Sequence, residues 1–287
     1  MRPALVGVPY DASSSFLRGA AGAPAAIRDA LHSRAGNPWA ERLVEVASPH
    51  VIEDIGDVEF ANDADPRAAI SSAVRTIAAS RPFIALGGDH SITYPIIRGL
   101  HAAVGPMTIL QIDAHPDLYD EFEGDRFSHA CPFARIMEEG LASRLVQVGI
   151  RAMTGHGRDQ ARRFGVEQID MRAWADGARP ALTGRVYVSL DLDGIDPAFA
   201  PGVAHREPGG LSAREVLNLL DTLGGDLIGA DIVEFVPAQD LGGLTAALAA
   251  KLVKELTAQF LIEDHALRHS WHHLAKISAA LRLSHAA

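Results

Sequence analysis

Six acidic and imidazole side chains stand shortly after three short apolar segments, and they are the first sign of chemistry in this sequence. The apolar segments are 83–86, 108–112 and 186–190. The six candidate metal ligands are His90, Asp113, His115, Asp117, Asp191 and Asp193. After the second and third segments these side chains occupy alternate positions, so an extended backbone points them to the same side. The pattern predicts that all six meet at one edge of a sheet.

The charge of this set indicates what it would bind. Two like charges about 4 Å apart repel by roughly 4 kcal/mol at an effective dielectric of about 20, and four clustered carboxylates repel in every pair. Two divalent cations would cancel that charge. Oxygen ligands with some imidazole suit manganese better than zinc, whose structural sites usually contain thiolates. We therefore expect two Mn²⁺ ions, although any one of these aspartates could instead cap a helix or turn.

The elements that must position these residues are short apolar strands alternating with helices. Strand-like runs cover 4–8, 83–86, 108–112, 145–148, 186–190 and 227–233. Pro24 predicts a helix start, Ser212 with Glu215 resembles a capping box, and leucines every four residues over 244–260 predict a core-facing helix. Alternating strands and helices predict an α/β fold with a central parallel sheet, whose ligands gather at the carboxyl ends of the strands.

Composition limits the class of protein and its partners. The 287 residues are 48% hydrophobic and carry a net charge of -10, which permits a cationic substrate and disfavours nucleic acid. No apolar stretch approaches the roughly 18 residues of a membrane span, and the first residues do not resemble a secretory signal. The single cysteine, Cys131, fits a reducing compartment. We expect a soluble cytoplasmic protein with neither nucleic acid nor membrane as partner.

Three strings resemble the signatures of the ureohydrolase family, which includes arginases and agmatinases. They are Gly-Gly-Asp-His-Ser at 87–91, Asp-Ala-His-Pro-Asp at 113–117 and Ser-Leu-Asp-Leu-Asp-Gly-Ile-Asp-Pro at 189–197. The similarity runs from Gly7 to about Ala258, roughly nine tenths of the chain. Within the family the chain most resembles plant-type arginases, through the strings at 128–137, 163–168 and 205–211.

The resemblance implies a three-layer α/β/α fold, a manganese pair and the six ligands given above. His129 matches the family histidine that passes a proton to the departing amine, and Glu234 matches the glutamate that accepts hydrogen bonds from the guanidinium. Asp89, Ser91 and Asp231 are candidates to orient the ligands. A homo-oligomer, either a trimer or a hexamer, is implied as well.

The match also suggests a division of the chain. We expect one catalytic domain over 1–262 and a histidine-rich, helical C-terminal tail over 263–287. For Glu207 we expect an architectural role in its loop, and for Cys131 the role of a small buried hydrophobe.

The expected reaction is hydrolysis of a small cationic guanidino substrate, and the sequence leaves that substrate open. Plant-type resemblance favours L-arginine, giving L-ornithine and urea. Agmatine, giving putrescine and urea, is the alternative, as is another guanidino or formimino acid. The carboxylate of Asp125 would disfavour a substrate carboxylate, whereas Arg126 would favour one.

Two hypotheses from other functional classes agree less well with the sequence. A deacetylase sharing this fold would use a single zinc ion held by fewer ligands, but the complete six-ligand set is present. An inactive partner subunit would lack a ligand or a catalytic group, and the sequence lacks none of them.

Overall fold

The structure is a computed structural model that describes residues 2–46, 50–61 and 65–261. The segment 263–287, predicted to be a helical tail, lies outside the described residues. In the described part of the chain, no helix is both long enough and apolar enough to cross a membrane.

Within the described residues, eight strands form one sheet in which all neighbouring strands are parallel. In chain order they are β1 (Ala4–Gly7), β2 (Glu53–Asp57), β3 (Phe83–Leu86), β4 (Met107–Ile112), β5 (Ala142–Val148), β6 (Glu167–Ile169), β7 (Arg185–Asp191) and β8 (Asp226–Val233). Across the sheet the order is β2-β1-β3-β8-β7-β4-β5-β6. The six apolar runs predicted from the sequence are all strands, because buried parallel strands are apolar on both faces.

In the described ranges there are eight α-helices, of which the first seven lie between consecutive strands and the eighth follows β8. They are α1 (Ala23–Leu31), α2 (Pro66–Ala78), α3 (Thr93–Val104), α4 (Pro132–Glu138), α5 (Gly155–Phe164), α6 (Met171–Ala175), α7 (Ala213–Asp221) and α8 (Leu244–Phe260). Pro24 lies in the first turn of α1, and Ser212 and Glu215 form the predicted capping box of α7. Along α8, Leu252 and Leu256 are buried as expected, and Leu248 and Phe260 are partly buried against the same core. Leu244, at the start of the helix, is 49% exposed, so the prediction that it faces the core is wrong.

Side chains alternate between two cores, one on each face of the sheet. On β3, Ile84 and Leu86 belong to one core, and Phe83 and Ala85 belong to the other. Helices α1, α6, α7 and α8 contribute to the first core, whereas α2, α3, α4 and α5 contribute to the second. The predicted three-layer α/β/α fold with a central parallel sheet is therefore confirmed.

The two edge strands were not predicted. Strand β2 reads Glu-Asp-Ile-Gly-Asp and is mostly exposed, and β6 has only three residues. Edge strands are often short and charged, because these features discourage pairing with another molecule. An exposed or very short edge strand has no apolar run that would predict it from the sequence. It is recognised only in the structure, by its hydrogen bonds to the neighbouring strand.

The sheet order brings four strand ends together. Strand β8 lies between β3 and β7, and β4 follows β7, so the four are adjacent at the centre of the sheet. Because all of them are parallel, the residues that follow them emerge at the same edge. That edge carries the candidate site.

Candidate active site

The first group of candidate ligands surrounds the buried His90, in the 3-10 turn that follows β3. Its Nδ1 lies 3.1 Å from Asp113 Oδ2, 2.9 Å from Asp117 Oδ2 and 3.2 Å from Asp191 Oδ2. None of these contacts has hydrogen-bond geometry, and among the described residues Nδ1 has no hydrogen-bond partner. Three carboxylate oxygens therefore converge on one ring nitrogen.

The second group shares Asp113 with the first. His115 Nδ1 lies 3.0 Å from Asp193 Oδ2 and 3.7 Å from Asp113 Oδ1. His90, Asp113 and Asp117 form one set of atoms close enough to hold a cation, and Asp113, His115 and Asp193 form another. All six predicted ligands thus lie together, with Asp113 common to both sets.

Hydrogen bonds behind His90 fix which of its nitrogens carries the proton. Its Nε2 lies 3.0 Å from Ser189 Oγ, and that hydroxyl donates to Asp231 Oδ1 at 2.7 Å. Tyr187 Oη and Thr93 Oγ1 both donate to Asp231 Oδ2 at 2.8 Å. Because the Ser189 proton goes to Asp231, Nε2 of His90 donates to Ser189, and Nδ1 keeps its lone pair.

The protonation of His90 bears on whether these residues could bind a metal ion. In this tautomer the lone pair of His90 Nδ1 and three carboxylate oxygens face one another, an arrangement that is repulsive unless a proton or a metal cation lies among them. Burial lowers the pKa of His90, but Asp113, Asp117 and Asp191 hold it well above its usual range. Burial and the charge of Asp113 raise the pKa of Asp117 to about 6. Burial, with Asp193 and Asp113 nearby, also holds the pKa of Asp191 well above its usual range. The donor set therefore fits divalent cations, which would replace protons on these carboxylates.

A row of buried amides, not foreseen from the sequence, supports Asp113 from the other side. Gln168 Nε2 donates to Gln147 Oε1, Gln147 Nε2 donates to Gln111 Oε1, and Gln111 Nε2 donates to Asp113 Oδ2, each at 2.6 Å. These glutamines are in register on β6, β5 and β4. Because each amide offers both a donor and an acceptor, the row is directional and ends with a donor on Asp113.

The two predicted catalytic side chains contact each other. His129 Nδ1 lies 2.9 Å from Glu234 Oε1, and that oxygen also accepts a hydrogen bond from the backbone N–H of His90 at 2.8 Å. Burial lowers the pKa of His129, but the hydrogen bond to Glu234 and its charge raise it to about 9. Burial favours the neutral form of Glu234, yet His129 and the His90 N–H keep its pKa below the usual range.

Backbone conformation orients Glu234. Its φ of 63° is in the left-handed region, which costs energy for a residue other than glycine. The carbonyl of Gly88 holds this turn by accepting a hydrogen bond from the Glu234 N–H at 2.9 Å. The chain therefore turns sharply after β8, toward the loop that carries His90.

These groups border one cavity of about 280 Å³. Asp117, Asp191, Asp193, His115, His129 and Glu234 all line it. Ser15, Tyr119, Thr154 and His205 contribute further polar atoms to its wall. Of these four, His205 was noted in the sequence only as part of a string, and the other three carry no signal that sets them apart from ordinary loop residues.

Two residues considered for specificity lie outside the cavity. The guanidinium of Arg126 is 3.1 Å from Asp120 and from Glu138, and Asp125 accepts a hydrogen bond from the N–H of Phe127 at 2.7 Å. Neither Asp125 nor Arg126 lines the cavity. Their side chains therefore do not contribute to the wall of this cavity.

Two other expectations have different outcomes. Cys131 is buried, and burial raises the pKa of its thiol to about 12, as expected of a small inert hydrophobe. Glu207, expected only to shape its loop, places Oε1 3.9 Å from His115 Nε2 and so reaches the site. That distance is too long for a hydrogen bond.

Comparison with known proteins decides the family. The arginase family model matches residues 2–258. The chain belongs to the arginase family. A relative from Arabidopsis thaliana, named arginase 1, mitochondrial, is 48% identical over 89% of this chain and 80% of its own length. Arginase 1, mitochondrial, from Oryza sativa subsp. indica is 47% identical over the same shares.

A solved structure agrees with these relatives. Arginase from Medicago truncatula superimposes with a TM-score of 0.85 at 44% identity, covering 90% of this chain and 87% of that one. The arginase family consists of metal-dependent hydrolases that act on C–N bonds of guanidino groups, so the predicted enzyme class is confirmed.

The expected cytoplasmic location is wrong. The Arabidopsis and Oryza relatives are both named as mitochondrial enzymes rather than cytoplasmic ones. A single cysteine indicates only that the fold does not depend on disulfides. It does not distinguish one reducing compartment from another.

Proposed function

We propose that this arginase family member is an arginase that hydrolyses L-arginine to L-ornithine and urea with two Mn²⁺ ions. The observation that carries the proposal is the buried contact of 2.9 Å between His129 and Glu234, in the same cavity as both sets of candidate ligands. A proton donor and a guanidinium acceptor would thus stand beside the metal ions.

The metal ions would be held by side chains from three strand ends. His90, Asp113 and Asp117, together with Asp191, would hold one ion, and Asp113, His115 and Asp193 would hold the other. Bound there, the ions would acidify water toward a pKa of about 7 and supply hydroxide at cellular pH. Manganese suits this set because its donors are carboxylate oxygens and imidazole nitrogens, without thiolate.

Glu234 would position the substrate. A guanidinium is planar and donates several N–H groups, which a carboxylate accepts in a fixed geometry. Oε1 of Glu234 already contacts His129 and the His90 N–H, so Oε2 is the oxygen left for the substrate.

His129 would supply the proton that the departing amine needs. With a pKa of about 9, its imidazole is protonated at neutral pH. Glu234 holds the Nδ1 end of the ring, whereas Nε2 accepts a hydrogen bond from the Ser15 backbone N–H at 3.2 Å and lies 2.8 Å from the Ser15 hydroxyl.

Arginine is proposed as substrate because relatives at 47–48% identity are named arginases. The cavity wall also supports it. Ser15, Tyr119 and Thr154 place hydroxyl groups there, and Tyr119 Oη donates to Thr154 Oγ1 at 3.3 Å. Hydroxyls can donate to a carboxylate without adding charge to the cavity.

The deciding experiment is urea release by the purified, manganese-loaded protein. L-arginine, agmatine and 4-guanidinobutyrate are assayed side by side, with kcat/KM measured for each. The highest kcat/KM for arginine supports the proposal. A preference for agmatine would replace it with an agmatinase, and no urea from all three substrates would reject both.

We also propose the assembly and domain organisation that the family resemblance implies. The catalytic domain spans 1–262, the tail 263–287 lies outside it, and the protein is a homo-oligomer of three or six chains. Light scattering coupled to gel filtration measures the mass, and a monomer of 30.5 kDa would contradict the oligomer.

A further inference from the structure

Two buried side-chain nitrogens lack a hydrogen-bond partner in the described part of the chain, and both belong to the site. One is Nδ1 of His90, which faces three carboxylate oxygens and would be completed by a metal ion of the proposed site. The other is Nε2 of His205. A buried polar atom without a partner is unfavourable, so its presence in a ligand cavity indicates that something else completes it.

His205 lies close to a candidate metal ligand and to the proposed proton donor. Its ring centroid is 5.8 Å from that of His115, a candidate metal ligand, and 5.6 Å from that of His129, the proposed proton donor. The ring of Phe16 also packs near His205, with the two ring centroids 5.8 Å apart. The His205 ring is therefore a wall of the cavity between the metal groups and the proton donor.

The loop that carries His205 is fixed on both sides. On one side, Val203 forms an isolated bridge with Phe235, directly after Glu234. On the other side, the guanidinium of Arg151 donates to the carbonyl of Glu207 from Nε at 2.9 Å and from Nη2 at 2.6 Å. The position of the ring is set by the fold before any ligand binds, as a preorganised contact requires.

We propose that His205 binds the guanidino group of the substrate by accepting an N–H hydrogen bond at Nε2; this rests on the proposed function. An alkylguanidinium offers five N–H donors and no acceptor. Glu234 has one oxygen available, which leaves donors unpaired in a buried cavity. His205 lines the same cavity, its Nε2 is buried without a partner, and a donor-only ligand selects the tautomer in which Nε2 is the acceptor.

The test compares two substitutions of His205 in the manganese-loaded protein. His205→Phe keeps a ring of similar shape and removes the acceptor, whereas His205→Gln keeps an acceptor. His32→Phe, on an exposed residue after α1, is the matched control. Two quantities are measured: kcat/KM for arginine, and the dissociation constant of the guanidinium ion by calorimetry, which does not depend on turnover.

For His205→Phe we expect kcat/KM to fall about 10- to 100-fold and guanidinium to bind about tenfold more weakly, with manganese content unchanged. His205→Gln should recover part of the loss, and His32→Phe should equal the wild type. An unchanged guanidinium dissociation constant in His205→Phe would overturn the inference. Loss of manganese in that variant would overturn it as well, because His205 would then act by positioning the metal ligand His115.

The two measurements distinguish failure of the proposed reaction from failure of the His205 assignment. If the wild type releases no urea but His205→Phe still weakens guanidinium binding, the proposed reaction is wrong and the assignment of His205 stands. If the wild type releases urea and His205→Phe matches it in both measurements, the assignment is wrong and the reaction stands.

Discussion

Nδ1 of His129 lies 2.9 Å from Oε1 of Glu234, and both side chains are buried. The contact couples the proton of the imidazole to the stability of the fold. The pKa of His129 is about 9 in the folded protein, against about 6.5 in an unfolded chain. A raised pKa means that the folded state binds the proton more tightly, so the contact stabilises fully below about pH 6.5.

That stabilisation should be lost as the pH rises through about 9. We expect the unfolding free energy of the metal-free protein to fall by about 3 kcal/mol more than that of His129→Asn between pH 6 and pH 10. Urea denaturation after chelation, followed by circular dichroism, measures both proteins. An equal pH dependence in the two would show that His129 has an ordinary pKa.

Glu234→Gln tests the proposed guanidinium acceptor. The substitution keeps an oxygen for the His90 N–H but removes the negative charge that the substrate and His129 require. Because hydrogen bonds to charged groups contribute about 1.5–3 kcal/mol each, kcat/KM should fall roughly 100-fold. Bound manganese, measured by atomic absorption, should match the wild type. Loss of metal would mean that Glu234 has been assigned to the wrong role.

Asp193→Ala tests the second set of metal ligands. This substitution leaves His115 and Asp113 as its only members, so we expect less bound manganese and no measurable urea release. Asp159→Ala is the control, since Asp159 is an exposed residue of α5. An undiminished rate in Asp193→Ala would end the two-metal proposal.

Ser189→Ala tests the hydrogen bonds behind His90. Without the hydroxyl, Nε2 loses its acceptor and the ring is no longer held with Nδ1 toward the carboxylates. Removal of such a partner typically lowers metal affinity about 10- to 100-fold. Chelator competition measures the manganese dissociation constant, with Ser143→Ala, whose hydroxyl donates to the Met107 carbonyl, as control. Equal affinity in the two variants would contradict the proposed tautomer.

Gln147→Met tests the row of buried amides. It leaves Gln111 Oε1 and the Pro116 carbonyl without their donor, so we expect a loss of about 2–4 kcal/mol in unfolding free energy. Gln168→Met, at the half-buried edge of the row, should cost less, because it removes a single donor. Chemical denaturation measures both. Equal losses would mean that the effect is one of packing rather than of hydrogen bonds.

Much of the site was predictable because its residues are local in the sequence. Asp113, His115 and Asp117 follow one strand at alternate positions, and that pattern indicates a metal group before any fold is known. His129 and Glu234 were predicted by resemblance, and the structure places them in contact. The isolated His205, in contrast, has no spacing that distinguishes it from other loop histidines.

The sequence by itself therefore determined the class of fold, the family and the six candidate ligands. Apolar runs, capping residues and motifs are each formed by residues close together in the sequence. Only the tertiary structure decided that β8 lies between β3 and β7, that Gln168 connects to Asp113 through two other amides, and that Arg126 pairs with Asp120 and Glu138. The physical reason is that strand pairing, buried hydrogen bonds and ion pairs join residues distant in sequence, and no local pattern encodes which partners meet.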